Sequence, residues 1–202
     1  MPKTLGRVNT LMYGRPMKDR LTRADWIGHG LRALAEDGPG ALKIGPLATG
    51  LDVSRGSFYW HFRDLADFRA QLLEHWRERT TERIIRGIEM QQTEPDRLRA
   101  LVTAAFAARP EGEDGANLWA AEDAIRAWAL VDEGVAALVA SVDERRVAYI
   151  AQLLIAAGVE ADAAPGRAVF LYWAYLGRAI FMGARRTLAP SEIAAIGDLL
   201  SA

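Results

Sequence analysis

Apolar residues recur every three or four positions along most of this chain, and this spacing constrains its fold more than any other feature. One such set is Leu98, Leu101, Val102, Ala105 and Phe106. Spacings of three and four place side chains on one face of an α-helix, whereas a half-buried strand requires strict alternation. No segment shows a convincing alternation or a hairpin turn. The sequence therefore predicts an all-α fold.

Capping residues and breakers locate the first three helices. Thr22 and Asp25 have the spacing of a capping box, which predicts a helix start, and the segment 38–40, Gly-Pro-Gly, ends that helix. A short second helix is predicted from Ile44 to Gly50, and a third opens at Ser54.

The remaining helices follow from the same signals. Asp64 can cap a fourth helix, whose apolar stripe continues until Pro95 ends it. Gly-rich and Pro-containing breakers at 109–115, 132–134, 158–165 and 190 separate the later segments. These later helices are predicted at about 96–108, 117–130, 133–157, 165–186 and 191–201.

Charge and composition restrict the functional classes. The chain has no cysteine, which excludes disulfides and thiolate metal sites. No apolar run approaches the ~18 residues of a membrane span, and the N-terminus lacks a signal-peptide segment, so we expect a cytoplasmic protein. Residues 1–70 contain 11 Lys and Arg against 7 Asp and Glu (+4), and the rest contain 14 against 19 (−5). The first third is therefore the part suited to a polyanion, and residues 1–20 are predicted to be a flexible basic arm.

The layout around the segment 53-VSRGSFYWHF-62 indicates DNA as this polyanion. A short helix, a tight turn and a second helix that begins with small polar residues are typical of a helix-turn-helix, whose second helix enters the DNA major groove. Arg55 has the bidentate fork that matches guanine. Phe58 and Phe62 share one face at helical spacing and are predicted to be core.

Residues 22–76 resemble the DNA-binding domain of the TetR family of bacterial repressors. The recognition helix of that family resembles V-S-x-[GP]-[ST]-[LF]-Y-x-H-F, and residues 53–62 fit it throughout. The resemblance implies that Arg55 and Ser57 reach bases, whereas Tyr59 and His61 contact the DNA backbone, with a base methyl as the alternative for Tyr59. The predicted DNA-binding residues are Lys43, Ser54, Arg55, Gly56, Ser57, Tyr59, Trp60, His61 and Arg63.

Three positions depart from the family pattern. Asp52 stands where glycine is usual, and aspartate tolerates the left-handed conformation better than most residues. Lys43 stands near the start of the second helix, where a hydroxyl is usual, and Leu65 replaces a lysine in the fourth helix. We therefore expect affinity for phosphate to depend on Lys43, Arg63 and the basic arm.

The resemblance also implies the organisation of the whole chain. It predicts a three-helix DNA-binding domain at 21–67, followed by a larger helical domain at 68–202 that dimerises and binds a small effector. Many aromatic side chains in the second domain can line a cavity for a largely apolar or aromatic ligand, although such residues more often form plain core. Glu122 and Arg126 are spaced as a solvated pair or, if they face inward, as polar contacts for that ligand. The candidate ligand-binding residues are Phe106, Trp119, Glu122, Arg126, Trp128, Tyr149, Trp173 and Arg178.

The expected partners are an operator in double-stranded DNA, a second copy of the chain and a small-molecule effector, with no cofactor and no metal. The last two helices, at 165–201, are predicted to form the dimer contact. The first carries small residues that allow close approach, Ala174, Gly177, Gly183 and Ala184, and the second carries an apolar stripe, Ile193, Ile196, Leu199 and Leu200.

Two other functional classes compete with this prediction. An enzyme is disfavoured because all three histidines lie within the first 75 residues and no nucleophile pairs with a base. A helix-turn-helix protein that binds DNA or a protein partner without a ligand is the second alternative. A C-terminal core without a cavity would favour it.

Overall fold

The structure, a computed structural model, describes residues 21–106, 113–177 and 188–201. Within these ranges no strand occurs, which confirms the predicted all-α fold. The helices are α1 Arg23–Asp37, α2 Ile44–Gly50, α3 Arg55–Phe58, α4 Leu65–Arg77, α5 Arg83–Glu89, α6 Glu94–Phe106, α7 Glu113–Ala129, α8 Glu133–Ala156, α9 Ala164–Gly177 and α10 Pro190–Ser201. None of these described helices is both long and apolar enough to cross a membrane. The predicted arm at 1–20 lies outside the described residues.

Local hydrogen bonds set both ends of α1. The backbone N–H of Asp25 donates to the Thr22 hydroxyl at 3.3 Å, and the Asp25 carboxylate accepts from the Thr22 N–H at 2.6 Å. At the other end Gly38 has φ +72°, and its N–H donates to the Leu34 carbonyl at 3.0 Å. The left-handed conformation favours glycine because it has no Cβ. Both predicted ends of α1 are confirmed.

The helix-turn-helix has the predicted layout. Helix α2 spans Ile44–Gly50, and α3 follows Ser54, its N-terminal cap position. Asp52 between them has φ +55°, so aspartate takes the left-handed conformation that usually belongs to glycine. Phe58 and Phe62 are buried with their ring centroids 5.1 Å apart, which confirms that they are core.

Helix α4 begins as predicted but the following segment differs. The Asp64 carboxylate accepts from the Asp67 N–H at 2.8 Å and caps α4. A π-helical turn at Glu78–Glu82 then joins α4 to α5, which ends at Glu89. The sequence predicted that Pro95 ends this helical run. Instead, the run ends at Glu89, and Pro95 lies in the first turn of α6. In a first helical turn the missing proline N–H costs little.

The later helices lie close to their predicted positions. Helix α7 begins at Glu113, so the predicted break at 109–115 ends earlier and Gly115 is helical. Two acidic residues, Glu113 and Asp114, favour this position because they complement the helix dipole. The predicted helix at 165–186 is described as α9 up to Gly177, and the rest of that range lies outside the described residues.

One hydrophobic core joins the helix-turn-helix to the larger helical region. Helix α1 packs against α7, and one continuous cluster of buried side chains includes Trp26, Phe58 and Trp76 together with Ile125 and Trp128. The domain boundary at residues 67 and 68 stays a prediction, because this core continues across it.

A second core lies among α6, α8, α9 and α10. Ile193 and Leu200 are buried in it, 5% and 8% exposed, against Leu98 and Val102 of α6. The prediction that α10 offers an exposed apolar stripe is therefore wrong for these two residues. An amphipathic helix buries its stripe on any apolar face within reach, and α6 of the same chain supplies that face. Leu199, at 74%, remains exposed.

Two glycines of α1 allow a matched test of its packing on α4. A Cβ at Gly30 would lie 2.6 Å from Phe68 Cζ and 2.8 Å from Leu72 Cδ1, whereas a Cβ at Gly28 would meet only Arg32, at 3.9 Å. We expect Gly30→Ala to lower the free energy of unfolding by about 1–3 kcal/mol, because overpacking outweighs the gain in helix propensity. Gly28→Ala gains the same propensity and should be neutral or stabilising. Urea unfolding of both variants measures this, and equal stabilities would contradict the close packing.

Candidate nucleic-acid interface and ligand cavity

The second half of the helix-turn-helix presents polar and aromatic side chains to solvent. Tyr59 and Trp60 are 59% and 79% exposed. Phe58 and Phe62 are buried behind them and fix the position of the surface residues. Of the predicted DNA-binding residues, Ser57 and His61 are half-buried, and those exposed are Lys43, Ser54, Arg55, Gly56, Tyr59, Trp60 and Arg63.

Arg55 lies against the first turn of α2. Its Nη2 atom is 3.0 Å from the position that a Cβ at Gly45 would occupy. Because Gly45 has no side chain, the Arg55 guanidinium can lie flat there while the residue remains exposed. A larger residue at position 45 would displace Arg55.

Arg63, which directly follows the segment 53–62, forms an exposed ion pair with Asp67. Its Nη2 lies 3.4 Å from Asp67 Oδ1, and its backbone N–H donates to Asp67 Oδ2 at 3.0 Å. The backbone hydrogen bond from Arg63 is the main cause of a lowered pKa of the Asp67 carboxyl. Arg63 is thus oriented by Asp67 and remains accessible to phosphate.

Arg69 of α4 connects the helix-turn-helix to α7. Its Nη2 donates to the Leu42 carbonyl at 3.3 Å, and its guanidinium lies 5.8 Å from the centre of the Trp128 ring. The Trp128 Nε1–H donates to Asp132 at 3.2 Å. Trp128, predicted to contact a ligand, therefore lies in the junction between the two parts of the chain.

A buried ion pair joins α7 and α8. Glu122 and Arg146 are 3% and 9% exposed, and Arg146 Nη1 donates to Glu122 Oε1 at 2.7 Å. Arg146 Nε also donates to the Thr81 hydroxyl at 2.9 Å, and Nη2 donates to the Thr80 hydroxyl at 3.0 Å. The pair therefore also holds the π-helical turn.

Further polar groups extend this network to α9. Arg126 Nη2 lies 3.1 Å from Glu122 Oε1 and 2.8 Å from Asp143 Oδ1. The Tyr172 hydroxyl donates to Asp143 at 2.6 Å, and the Tyr175 hydroxyl donates to Glu122 at 3.2 Å. Glu122 and Arg126 thus take the inward arrangement, not the solvated one. Two guanidinium groups face two carboxylates, so the network has no net charge.

The charges in this network remain ionised despite their burial. Burial is the largest influence on Glu122 and by itself would raise its pKa, but Arg146 and Arg126 outweigh it and lower that pKa. Burial opposes the charge of Arg146, yet Glu122 raises its pKa above the ordinary value. Burial raises the pKa of Tyr172 to about 12. At neutral pH the ion pairs are therefore charged and this tyrosine is neutral.

A cavity of about 70 Å³ lies beside the network. Its polar wall includes Thr80, Thr81 and Arg146 together with Tyr149, Tyr172 and Tyr175. It is smaller than the ~300–1,000 Å³ of pockets for drug-sized ligands. Only a small group fits without movement of the walls. The apolar wall includes Ile84, Ile85, Ile88, Leu101, Ile150 and Leu171.

The structure separates the predicted ligand-binding residues. Tyr149 lines the cavity. Glu122 and Arg126 do not line it, but they hold Arg146 and Tyr172 in its wall. Phe106 packs at the edge of the second core. The Trp119 side chain and Arg178 lie outside the described residues.

Trp173, the remaining candidate, faces a different concavity. An open groove of about 620 Å³ runs between α8 and α9, and its apolar lining includes Val147, Val169, Trp173 and Leu176. Trp173 is 65% exposed, and Phe170 on the same helix is 68% exposed. Exposed apolar patches of this kind mark interaction surfaces.

Sequence analysis did not identify Arg146, Thr80 and Thr81. Arg146 occupies a core position in the helical series Val142, Arg146, Tyr149, Leu153, and this was the available signal. Thr80 and Thr81 stand among charged residues and gave no comparable signal.

No protein-family model matches the chain, and no curated protein matches its sequence. Solved structures do match it. A candidate transcriptional regulator from Saccharomonospora viridis in complex with choline has 18% sequence identity and a TM-score of 0.67, covering 87% of this chain and 93% of that chain. A candidate TetR-family transcriptional regulator from Rhodococcus has 16% identity and a TM-score of 0.62, covering 92% and 100%.

A third solved structure that matches the chain contains operator DNA. AibR in complex with isovaleryl coenzyme A and operator DNA has 12% identity and a TM-score of 0.63, covering 88% of this chain and 96% of that chain. The chain therefore has a TetR-like fold. A fold by itself does not assign a function, so the function depends on the sites described above.

The buried ion pair makes a testable contribution to stability. We expect Glu122→Gln to lower the free energy of unfolding at neutral pH by about 3–5 kcal/mol, because it leaves buried guanidinium charge uncompensated. The lowered pKa of Glu122 means that the wild type retains this stabilisation above the ordinary carboxyl range and loses it as the pH falls through the folded-state pKa. The difference between the two proteins should therefore shrink in acid.

Glu74→Gln provides the matched control, because Glu74 pairs with Arg77 and its side chain is 57% exposed. Its effect should stay within ~1 kcal/mol. Urea unfolding across the pH range measures both variants. Similar losses for both would contradict a special role of the buried pair.

Proposed function

We propose that this chain is a TetR-family regulator, a repressor that binds a palindromic operator as a homodimer and is released by a small, largely apolar and uncharged effector. The observation that carries this proposal is the recognition surface of residues 54–63, which comprises α3 and the residues on either side of it. Its exposed side chains combine a guanidinium, hydroxyls and aromatic rings, and the buried Phe58 and Phe62 hold them on a fixed base.

The exposed groups suit the two kinds of DNA contact. Arg55 supplies paired donors for a guanine edge, which allows base readout. Lys43 and Arg63 supply cations for phosphates, which position the protein without reading sequence. The half-buried His61 sits against the ring of Phe62, with centroids 6.2 Å apart, so its imidazole is held near the recognition surface. The AibR complex with operator DNA supports this use of the fold.

A homodimer gives the spacing that a palindrome requires. Two recognition helices must lie about 34 Å apart to enter successive major grooves. The groove between α8 and α9, with exposed Trp173 in its lining, is the apolar surface that favours a second copy of the chain. The proposed dimer contact thus keeps α9 from the predicted range 165–201, with the α8 side of the groove in place of the α10 stripe.

The cavity indicates the chemistry of the effector. The network around Arg146 is already neutral, so a charged ligand would enter without a partner of opposite charge. Apolar side chains form most of the wall, which favours an uncharged and largely apolar group. The presence of a cavity argues against the ligand-independent alternative. Two solved structures of similar fold, one in complex with choline and one with isovaleryl coenzyme A, support a small-molecule effector.

Selection of duplexes from a random pool tests the proposed function directly. The purified protein should enrich a palindromic sequence whose half-sites are about one helical turn apart. If the selection at low salt enriched no sequence, sequence-specific DNA binding would be contradicted. If it enriched a single half-site, the dimeric arrangement would be contradicted.

Arg55 and Lys43 should affect DNA binding in different ways. Arg55→Ala should cost roughly 1–3 kcal/mol at one base position and relax the choice of base there, because a bidentate contact is lost. Lys43→Ala should weaken binding to all sequences alike and reduce the dependence of affinity on salt, because one phosphate contact is lost. Titration of operator and single-base variants at several salt concentrations measures both effects. A uniform loss in both variants would show that Arg55 does not read bases.

Introducing a negative charge into the proposed dimer surface tests whether that surface holds the dimer together. Trp173→Glu places a carboxylate in the groove between α8 and α9, and we expect it to convert the dimer to a monomer at micromolar concentration because an apolar interface excludes unpaired charge. Light scattering measures the mass. Leu199→Glu on α10 is the control, since Leu199 is 74% exposed. Dissociation by the control but not by Trp173→Glu would place the contact on α10.

A further inference from the structure

A π-helical turn interrupts the helix that runs from α4 into α5. The backbone N–H of Arg83 donates to the carbonyl of Glu78, five residues earlier, so this turn holds one residue more than an α-helical turn. Such turns are rare and often occur at functional sites. The turn at Glu78–Glu82 is therefore a place where the helix can change its register.

Arg146 contacts this turn through side chains and backbone. In addition to the Thr80 and Thr81 hydroxyls, its Nη2 lies 3.4 Å from the Thr80 carbonyl oxygen. The Thr80 hydroxyl donates to the Trp76 carbonyl at 2.7 Å, so the residue is held from both sides. Glu122 fixes the other edge of the Arg146 guanidinium. Arg145 of α8 adds an ion pair to Glu82 at 3.8 Å, but only Arg146 contacts both threonines of the turn as well as Glu122 of α7.

The same residues form part of the cavity wall. Thr80, Thr81 and Arg146 all line it, so an occupant lies directly against the turn and the side chain that holds it. On the N-terminal side of the turn, α4 carries Phe68 and Leu72, which fit closely against α1 at Gly30. Since α1 and α4 belong to the core of the helix-turn-helix, movement of α4 moves the recognition surface.

We propose that Arg146 is a positioning residue that couples the cavity to the recognition helix. With the cavity empty, Arg146 holds the π-helical turn and α4 in the DNA-binding position. An occupant that displaces Arg146 from Thr80 and Thr81 releases the turn. A change of one residue in register rotates a helix by about 100° and shifts it by about 1.5 Å, so even part of that change displaces the recognition surface. This inference rests on the proposed function and names the residues that carry its regulation.

A substitution can replace the unidentified effector in the test. Ala105 lines the cavity, so Ala105→Leu places an apolar group inside it. The probe is the duplex that the wild type enriches from a random pool. We expect Ala105→Leu to weaken binding to that duplex about tenfold, within the usual range of coupling between sites. Ala104→Leu, at another position of the cavity wall, serves if circular dichroism shows that the first variant does not fold.

Thr81→Val removes the acceptor of Arg146 Nε and nearly preserves the shape of the side chain. In this background the effect of Ala105→Leu should shrink from tenfold to about threefold or less, because Arg146 then keeps only Thr80 as its partner on the turn. Thr81→Ser keeps the hydroxyl and should restore the tenfold effect. Thr103→Val is the matched control, because Thr103 is exposed on α6 and does not line the cavity. It should leave the tenfold effect intact.

The outcomes separate the coupling from the function. An equal effect of Ala105→Leu in the wild type and in Thr81→Val overturns the role of Arg146, as does the absence of any effect in the wild type. Failure of the wild type to enrich a duplex overturns the proposed function and the coupling together. Rescue by Thr81→Ser supports the coupling specifically, since a merely structural role would give effects that add.

Discussion

The ion pair between Glu122 and Arg146 is the interaction on which the larger helical region depends. Removing two charges from water costs several kcal/mol for each ion, so such a pair persists only where its hydrogen bonds are satisfied. Here the pair connects α7 and α8 to each other, to the π-helical turn and to α9 through Tyr172. Because each of these contacts requires the others, the network fixes the relative positions of the helices around the cavity.

The recognition surface is stabilised differently, by apolar packing. Phe58 and Phe62 fill the space behind α3, and the core that contains them continues through α1 into α7. Arg69 adds a polar link between the Leu42 carbonyl and the face of Trp128. The helix-turn-helix is therefore packed directly against the region that carries the cavity. Under the proposed coupling, this packing carries a small change in the cavity wall to the recognition surface.

The sequence predicted the features that depend on local interactions. The caps at Thr22 and Asp64, the left-handed Asp52 and the buried Phe58 and Phe62 all follow from neighbours in the chain. The cavity and the coverage of α10 depend on contacts between distant residues, so helical spacing could not reveal them. Arg146 illustrates the difference: its series marked it as a core position, but its partners Thr80 and Thr81 lie 65 or more residues away.

Amide hydrogen exchange, followed by mass spectrometry with and without the enriched duplex, tests the central claim most directly. Exchange reports the local opening of helices, segment by segment. If Arg146 couples the cavity to the recognition surface, DNA should slow exchange in residues 43–61 and also in residues 78–83, while α10 stays unchanged. Protection confined to residues 43–61 would contradict the coupling, because the π-helical turn would then be independent of DNA.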